Sequence, residues 1–180
     1  RFLIALLILF QQNTLSFAQD PLLFIENVTE RASKILIKDL DKSQKSKLLI
    51  ELAEESVDIK GIGLYTLGKY RKKINNEERK EYEKLFRKYF LKSFSSRLSE
   101  YSDPKINVIS KEILNKNYTI VSSVLVGDDK RPEIKIDWRV YTKNPDNPLI
   151  RDLIIEGLSL ARTQKEEFSS ILNSNNGDIN

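Results

Sequence analysis

Apolar residues recur at steps of three and four through the first hundred positions, and at steps of two beyond Pro104. The change of period predicts helices first and a sheet afterwards. Residues 20–38 place Leu22, Ile25, Val28, Ala32, Ile35 and Leu36 on one helical face. Residues 43–56 repeat the arrangement with Leu48, Leu49, Leu52 and Ala53. The stretch 57–71 holds Gly61, Gly63 and Gly68 within eight residues, which argues for bends or close packing and against one rigid helix. The strongest helical pattern spans 76–101. Asn75 or Asn76 caps it, and Glu77 and Glu78 occupy the first turn, where the helix dipole favours carboxylates. Its apolar set is Tyr82, Leu85, Phe86, Tyr89, Phe90, Phe94, Leu98 and Tyr101. Ordinary core packing accounts for such an aromatic stripe. So does the wall of a pocket for something apolar.

After Pro104, residues 105–113, 117–126, 133–143 and 149–156 read as four strands separated by Asn-, Gly-, Asp- and Pro-rich turns. The third alternates most cleanly, with Ile134, Ile136, Trp138 and Val140 on one face and Lys135, Asp137, Arg139 and Tyr141 on the other. The expectation is an antiparallel meander with one buried and one wetter face. A final amphipathic helix runs from about Ser159 to Leu172, through Leu160, Phe168 and Ile171. The fold class is α+β, a twisted four-stranded antiparallel sheet wrapped by helices.

The first eighteen residues stand apart from that domain. Arg1 precedes nine apolar residues, Phe2 to Phe10, and Ser16 and Ala18 supply small side chains before a cut at Gln19. This is the order of a secretory signal peptide. Nine apolar residues span about 14 Å as a helix, roughly half a bilayer core, too short for an anchor. Residues 1–18 are thus expected to be a signal peptide and 19–180 a single exported domain. An exported protein is a poor candidate for nucleic-acid binding.

Composition narrows the chemistry. The chain contains no His, no Cys and no Met. A Ser-His-Asp triad, a thiol nucleophile, His or thiolate metal sites and disulfides are all excluded. The missing Met indicates a start downstream of an initiator. Asp58, Asp137, Asp152 and Glu156 lie in or beside apolar segments, but no spacing links them into an acid–base pair. Nothing resembles H-E-x-x-H, G-x-S-x-G or a phosphate-binding loop. The reading is not an enzyme.

Charge is uneven along the chain. Residues 69–97 carry eleven basic side chains against four glutamates, whereas the whole chain is only +4. Lys80, Lys84, Arg87 or Lys88, and Lys92 follow helical spacing opposite the aromatic stripe. A solvated face with Glu–Lys pairs is one reading. Attraction to anionic headgroups or to an acidic partner is the other.

Four stretches carry a family resemblance. They are Leu64-Tyr65-Thr66-Leu67-Gly68-Lys69-Tyr70-Arg71; the helix with Glu78-Arg79, Leu85-Phe86, Tyr89-Phe90, Arg97-Leu98 and Tyr101; Ile136-Asp137-Trp138-Arg139-Val140; and Arg151-Asp152-Leu153-Ile154-Ile155-Glu156-Gly157-Leu158-Ser159-Leu160, running into Gln164-Lys165-Glu166-Glu167-Phe168. In this order they resemble the MlaC family of periplasmic phospholipid-binding proteins, also called toluene-tolerance proteins. There are departures. Leu149 and Lys165 stand where family members commonly have Trp and Arg, and no Trp separates Tyr70 from Arg71. The sequence stops at Asn180, where the family usually continues, so its C-terminus is expected to be cut short.

The resemblance implies an apolar pocket that encloses phospholipid acyl chains. It also implies shuttling through the periplasm of a Gram-negative bacterium, between an outer-membrane lipoprotein–porin complex and an inner-membrane ABC transporter with a substrate-binding ring. Such transport maintains outer-membrane lipid asymmetry. Phospholipid is then the cargo, no cofactor is needed, and the protein is expected to be a monomer. The walls of this pocket are expected to be Phe86, Phe90, Phe94, Ile120, Val124, Ile134, Ile136, Trp138, Leu153 and Ile155. Lys69, Arg71, Lys84 and Lys88 are the candidates for partner or headgroup contact. Two rivals remain: a periplasmic chaperone or adaptor whose aromatic stripe is plain core, and an isomerase-like enzyme with a titratable pair in the pocket.

Overall fold

Asp20 opens the first helix. In this computed structural model, which describes residues 19–127 and 132–179, its carboxylate accepts the Leu22 N–H at 2.8 Å. The expected signal peptide, residues 1–18, lies outside the described residues, as does most of the turn before the third strand. Helix α1 runs Pro21–Ile37 and buries Phe24, Ile25, Val28 and Leu36. Helix α2, Lys42–Ser56, starts at a capping box in which Asp41 and Gln44 satisfy each other's backbone N–H groups. It buries Leu49, Leu52 and Ala53.

The glycine-rich stretch both bends and packs closely. Helix α3, Ile59–Thr66, contains Gly61 and Gly63, and a 3₁₀ turn, Gly68–Lys72, follows it. A Cβ at Gly63 would stand 2.8 Å from Cδ1 of Phe86, so the glycine is what lets α3 lie against the next helix. Gly68 takes φ +54°, which glycine adopts without strain, and breaks the helix there.

Helix α4, Asn76–Leu98, is capped by Asn75 with Glu78 completing a capping box, and ends three residues short of the sequence expectation. Its stripe is not uniformly buried. Phe86 is buried and Tyr82, Phe90 and Phe94 are half-buried, while Leu85 and Tyr89 are 55% and 45% exposed. Leu91 and Ser95 are buried instead. Ring centroids stack along α4 at 5.9 Å for Tyr82–Phe86, 6.2 Å for Phe86–Phe90 and 5.9 Å for Phe90–Phe94.

The strands are β1 Ile106–Asn115, β2 Tyr118–Leu125, β3 Ile134–Tyr141, β4 Leu149–Ile155 and β5 Leu158–Ser159. They form one antiparallel sheet in sequence order. The sequence predicts four strands; the fifth is two residues long, too short to show a period. It folds back on β4 through Glu156 and Gly157, both at positive φ. Val121 stands opposite Trp138, and Trp138 opposite Leu153. Thr119, Val121, Ser123, Ile136, Trp138 and Val140 are buried, so β3 alternates as its sequence implies. A register shift beside Arg139 leaves Arg151 as an extra residue in β4.

Helix α5, Leu160–Ser174, begins where Ser159 accepts the Arg162 N–H. α1 rests on β1 and β2, α3 and α5 rest on β4, and α4 packs on α2 and α3. Val57 bridges to Ile150, which ties the start of α3 to β4. Among the described residues, no helix is long and apolar enough to cross a membrane.

Candidate functional site

A cavity of about 270 Å³ lies between α4 and the sheet. Phe86, Tyr89, Phe90 and Phe94 form one wall, and Trp138, Ile150 and Leu153 form the opposite one. Val28 and Ala32 of α1, with Leu52 and Val57 from α2 and its end, close the rest. Arg97, Gln164 and Glu167 add polar side chains, and Tyr89 donates its hydroxyl to Gln164 Oε1 at 3.0 Å. The arrangement suits a flexible apolar chain, because water is displaced from apolar walls with few polar groups to satisfy.

Trp138 is the best-anchored wall residue. Its Nε1–H donates to Ser123 Oγ at 2.8 Å, and the Ser123 hydroxyl in turn donates to the Ile136 carbonyl at 3.1 Å. The indole's polar edge is thus satisfied inside the sheet while the ring faces an apolar space. Phe168 of α5 meets Phe86 edge-on, with centroids 6.1 Å apart and planes at 80°.

Arg151 and Asp152 bring charge to the cavity wall. Asp152 is 4% exposed; its Oδ2 accepts from Ser159 Oγ at 2.6 Å and its Oδ1 from Ala161 N at 2.9 Å. Both oxygens are occupied in fastening α5 to β4, which leaves Asp152 poorly placed as a general base. Arg151 donates Nε to Asp58 Oδ2 at 2.6 Å and Nη1 to the Tyr118 hydroxyl at 2.7 Å, and its Nη2 forms an ion pair with the same Asp58 oxygen at 2.6 Å. Its guanidinium carbon lies 3.8 Å from the Tyr141 ring centroid. Burial works against the Arg151 charge, but the hydrogen bond and charge of Asp58, joined by Tyr118, outweigh it and raise its pKa. Tyr82, which shares a 2.7 Å hydrogen bond with Thr66, has its phenol pushed up to about 12 by burial.

A second cavity, of about 540 Å³, adjoins the first. Ile62, Arg151, Asp152 and Ala161 line both. Its other walls include Tyr65, Arg71, Tyr118 and Arg139.

Of the expected wall residues, the structure brings Phe86, Phe90, Phe94, Trp138 and Leu153 onto the first cavity. Ile120 and Val124 stand on the other face of the sheet, across from Arg139 and Lys135. Ile136 is core with Ile134 packed against that core, and Ile155 pairs with Ile136; none of the three lines the cavity. Lys69, Lys84 and Lys88 are exposed, Lys84 within 3.4 Å of Glu81, while Arg71 reaches the second cavity. The contributions of α1 and α2, and the pairing of Arg139 with Asp152, were not anticipated.

The family described as MlaC protein matches this chain over residues 26–179. Among solved structures, the fold is similar to that of the phospholipid-binding protein from Ralstonia solanacearum, determined in complex with a phospholipid. The TM-score is 0.73 at 16% sequence identity, over 89% of this chain and 91% of that one.

Proposed function

This chain belongs to the MlaC family, and we propose that it is a phospholipid carrier that shields acyl chains from water between membranes. The observation that carries the reading is the apolar cavity between the α4 aromatics and the Trp138 face of the sheet. At about 0.8 kcal/mol per methylene, a sixteen-carbon tail left in water costs on the order of 12 kcal/mol, so a carrier must bury the chains it takes. The phospholipid bound to the Ralstonia solanacearum protein, which shares the fold, supports the same reading.

Ligand pockets typically span roughly 300–1,000 Å³, and a two-tailed lipid belongs at the upper end of that range. The 270 Å³ cavity is smaller. Enclosing both tails therefore requires more room than this cavity gives. The half-buried Phe90 and Phe94 are the walls that yield with least loss of packing. No bond changes in this activity, and the protein acts as a carrier without catalysis.

The carrier shuttles in the periplasm between an outer-membrane lipoprotein–porin complex and an inner-membrane ABC transporter. Lys84 and Lys88, exposed on α4, with Lys69 on the 3₁₀ turn, offer acidic partners a basic face. The test is organic extraction of the purified protein followed by mass spectrometry, together with uptake from phospholipid vesicles. Near-stoichiometric phospholipid is the expected result. Its absence, with no uptake from vesicles, overturns the proposal.

A further inference from the structure

Ile113, near the end of β1, is the most exposed large apolar side chain among the described residues, at 76%, and its neighbour Leu114 is 51% exposed. Ile113 pairs with buried Thr119 and so lies on the face of the sheet that α1 covers farther along β1. The cover stops short of it: α1 begins at Pro21, and its capping Asp20 already pairs with Lys111. A register shift between Ile113 and Asn115 leaves Leu114 without a partner on β2. The hairpin then closes where Asn115 Oδ1 accepts the Asn117 N–H at 2.9 Å. The β3–β4 connection lies against this turn, the Thr142 N–H donating to the Asn117 carbonyl at 2.8 Å. The 3₁₀ turn lies near it too, since Arg71 and Leu114 line the same second cavity.

This end of the molecule is basic. Residues 68–73, 112–117 and 142–148 carry Lys69, Arg71, Lys72, Lys73, Lys116 and Lys143 against Glu112 and Asp146. All six cations are exposed, and none has an ion pair among the described residues. The other end of the sheet has an exposed apolar residue as well, Leu158 at 60%, but exposed Glu133 and Glu156 accompany it.

We propose that the tip of the β1–β2 hairpin docks on an anionic bilayer surface, with Ile113 and Leu114 inserted among the headgroups and the surrounding cations set against the lipid phosphates. The combination is that of an interfacial anchor: a few apolar side chains enter the headgroup layer, and lysines reach its anions on long stems. A bilayer fits better than a protein, because the two side chains protrude from a turn and form no groove. The inference goes beyond the carrier reading, since a carrier served by protein complexes alone needs no contact with the bilayer. Docking in this orientation also turns the second cavity toward the membrane, exposed Tyr65, Arg71 and Leu114 being among its walls.

The experiment is co-sedimentation with vesicles of phosphatidylcholine, with and without phosphatidylglycerol. Binding to the anionic vesicles is expected to be about tenfold tighter and to fall as salt rises. The double variant Ile113→Ser, Leu114→Ser is expected to lose about tenfold in affinity, and Lys116→Glu about fivefold. Both change exposed positions, and an unfolding midpoint near that of the wild type is the control. The chain has no Cys, so Ile113→Cys and, separately, Leu158→Cys accept a single environment-sensitive fluorophore. Anionic vesicles should brighten the label at 113 and leave that at 158 unchanged. No binding of the wild type to anionic vesicles overturns the docking and assigns the tip to a protein partner. The carrier reading survives that result if phospholipid still co-purifies with the protein, and falls separately if it does not and none is taken up. Undiminished binding by the folded double variant, or a response at 158 without one at 113, also overturns the docking.

Discussion

Ser123 accepts the Trp138 indole N–H at 2.8 Å from the facing strand, and the pair fixes the one tryptophan of the chain against the cavity. The serine hydroxyl also donates to the Ile136 carbonyl, so its single proton and a lone pair are both used. Ser123→Ala leaves a buried indole N–H unpaired. It is expected to cost about 1–3 kcal/mol of stability, read from urea unfolding. A variant as stable as the wild type contradicts the assigned anchoring.

Gly63 and Phe86 are coupled by contact. A methyl group at Gly63 would stand 2.8 Å from the Phe86 ring and force it toward the cavity. Gly63→Ala is expected to destabilise by about 1–3 kcal/mol, as overpacking does. Adding Phe86→Leu recovers part of that loss, with an interaction term above about 0.5 kcal/mol in a double-mutant cycle. Strict additivity counts against the contact.

Tyr82 makes stability depend on alkaline pH. Its phenol titrates near 12 in the folded protein, against 10.0 ordinarily, because burial disfavours the anion. The folded state therefore holds the proton more tightly. The contribution is complete below pH 10 and is lost as pH rises toward 12. Melting curves of wild type and Tyr82→Phe should converge over that window. A constant gap from pH 8 to 12 refutes the assignment.

Ala32 lines the cavity from α1 and is only partly buried. Ala32→Phe fills space that an acyl chain would use. Excluding two or three methylenes removes about 2 kcal/mol, roughly a thirtyfold loss of lipid affinity. Vesicle uptake measures it, with an unfolding midpoint near that of the wild type as the control. Unimpaired uptake by the folded variant argues that the chains lie elsewhere.

Helices α1, α2, α4 and α5 and four strands were legible because their periods are long and clean, whereas the glycines of α3 hid its eight residues. The face of β2 was not. Its buried set is Thr119, Val121 and Ser123, and its outer set includes Ile120, Ser122 and Val124. Each set mixes apolar with hydroxyl side chains, so alternation alone assigns no inside; only the register against Trp138 does. Ile120 and Val124 therefore read as walls and stand outside. The α4 aromatics were identifiable as a stripe, but Leu85 shares its spacing while standing 55% exposed and outside the cavity. Arg139 read as a wet-face residue, and nothing local reveals that its Nε is enclosed beside Asp152. Contacts made between strands and across helices, such as Arg151 with Asp58, join residues far apart in the chain and leave no short-range pattern.

The most direct test of the central claim uses Trp138 as the probe. The protein is loaded with phospholipid brominated along its acyl chains, and tryptophan fluorescence is compared with that after loading of the same lipid without bromine. Bromine quenches only at contact range. Enclosure of the chains in the first cavity predicts strong quenching, weakened in the Ala32→Phe protein in step with its lower uptake. Full tryptophan emission from a protein that carries brominated lipid at stoichiometric level would contradict the account, because the chains would then lie away from Trp138.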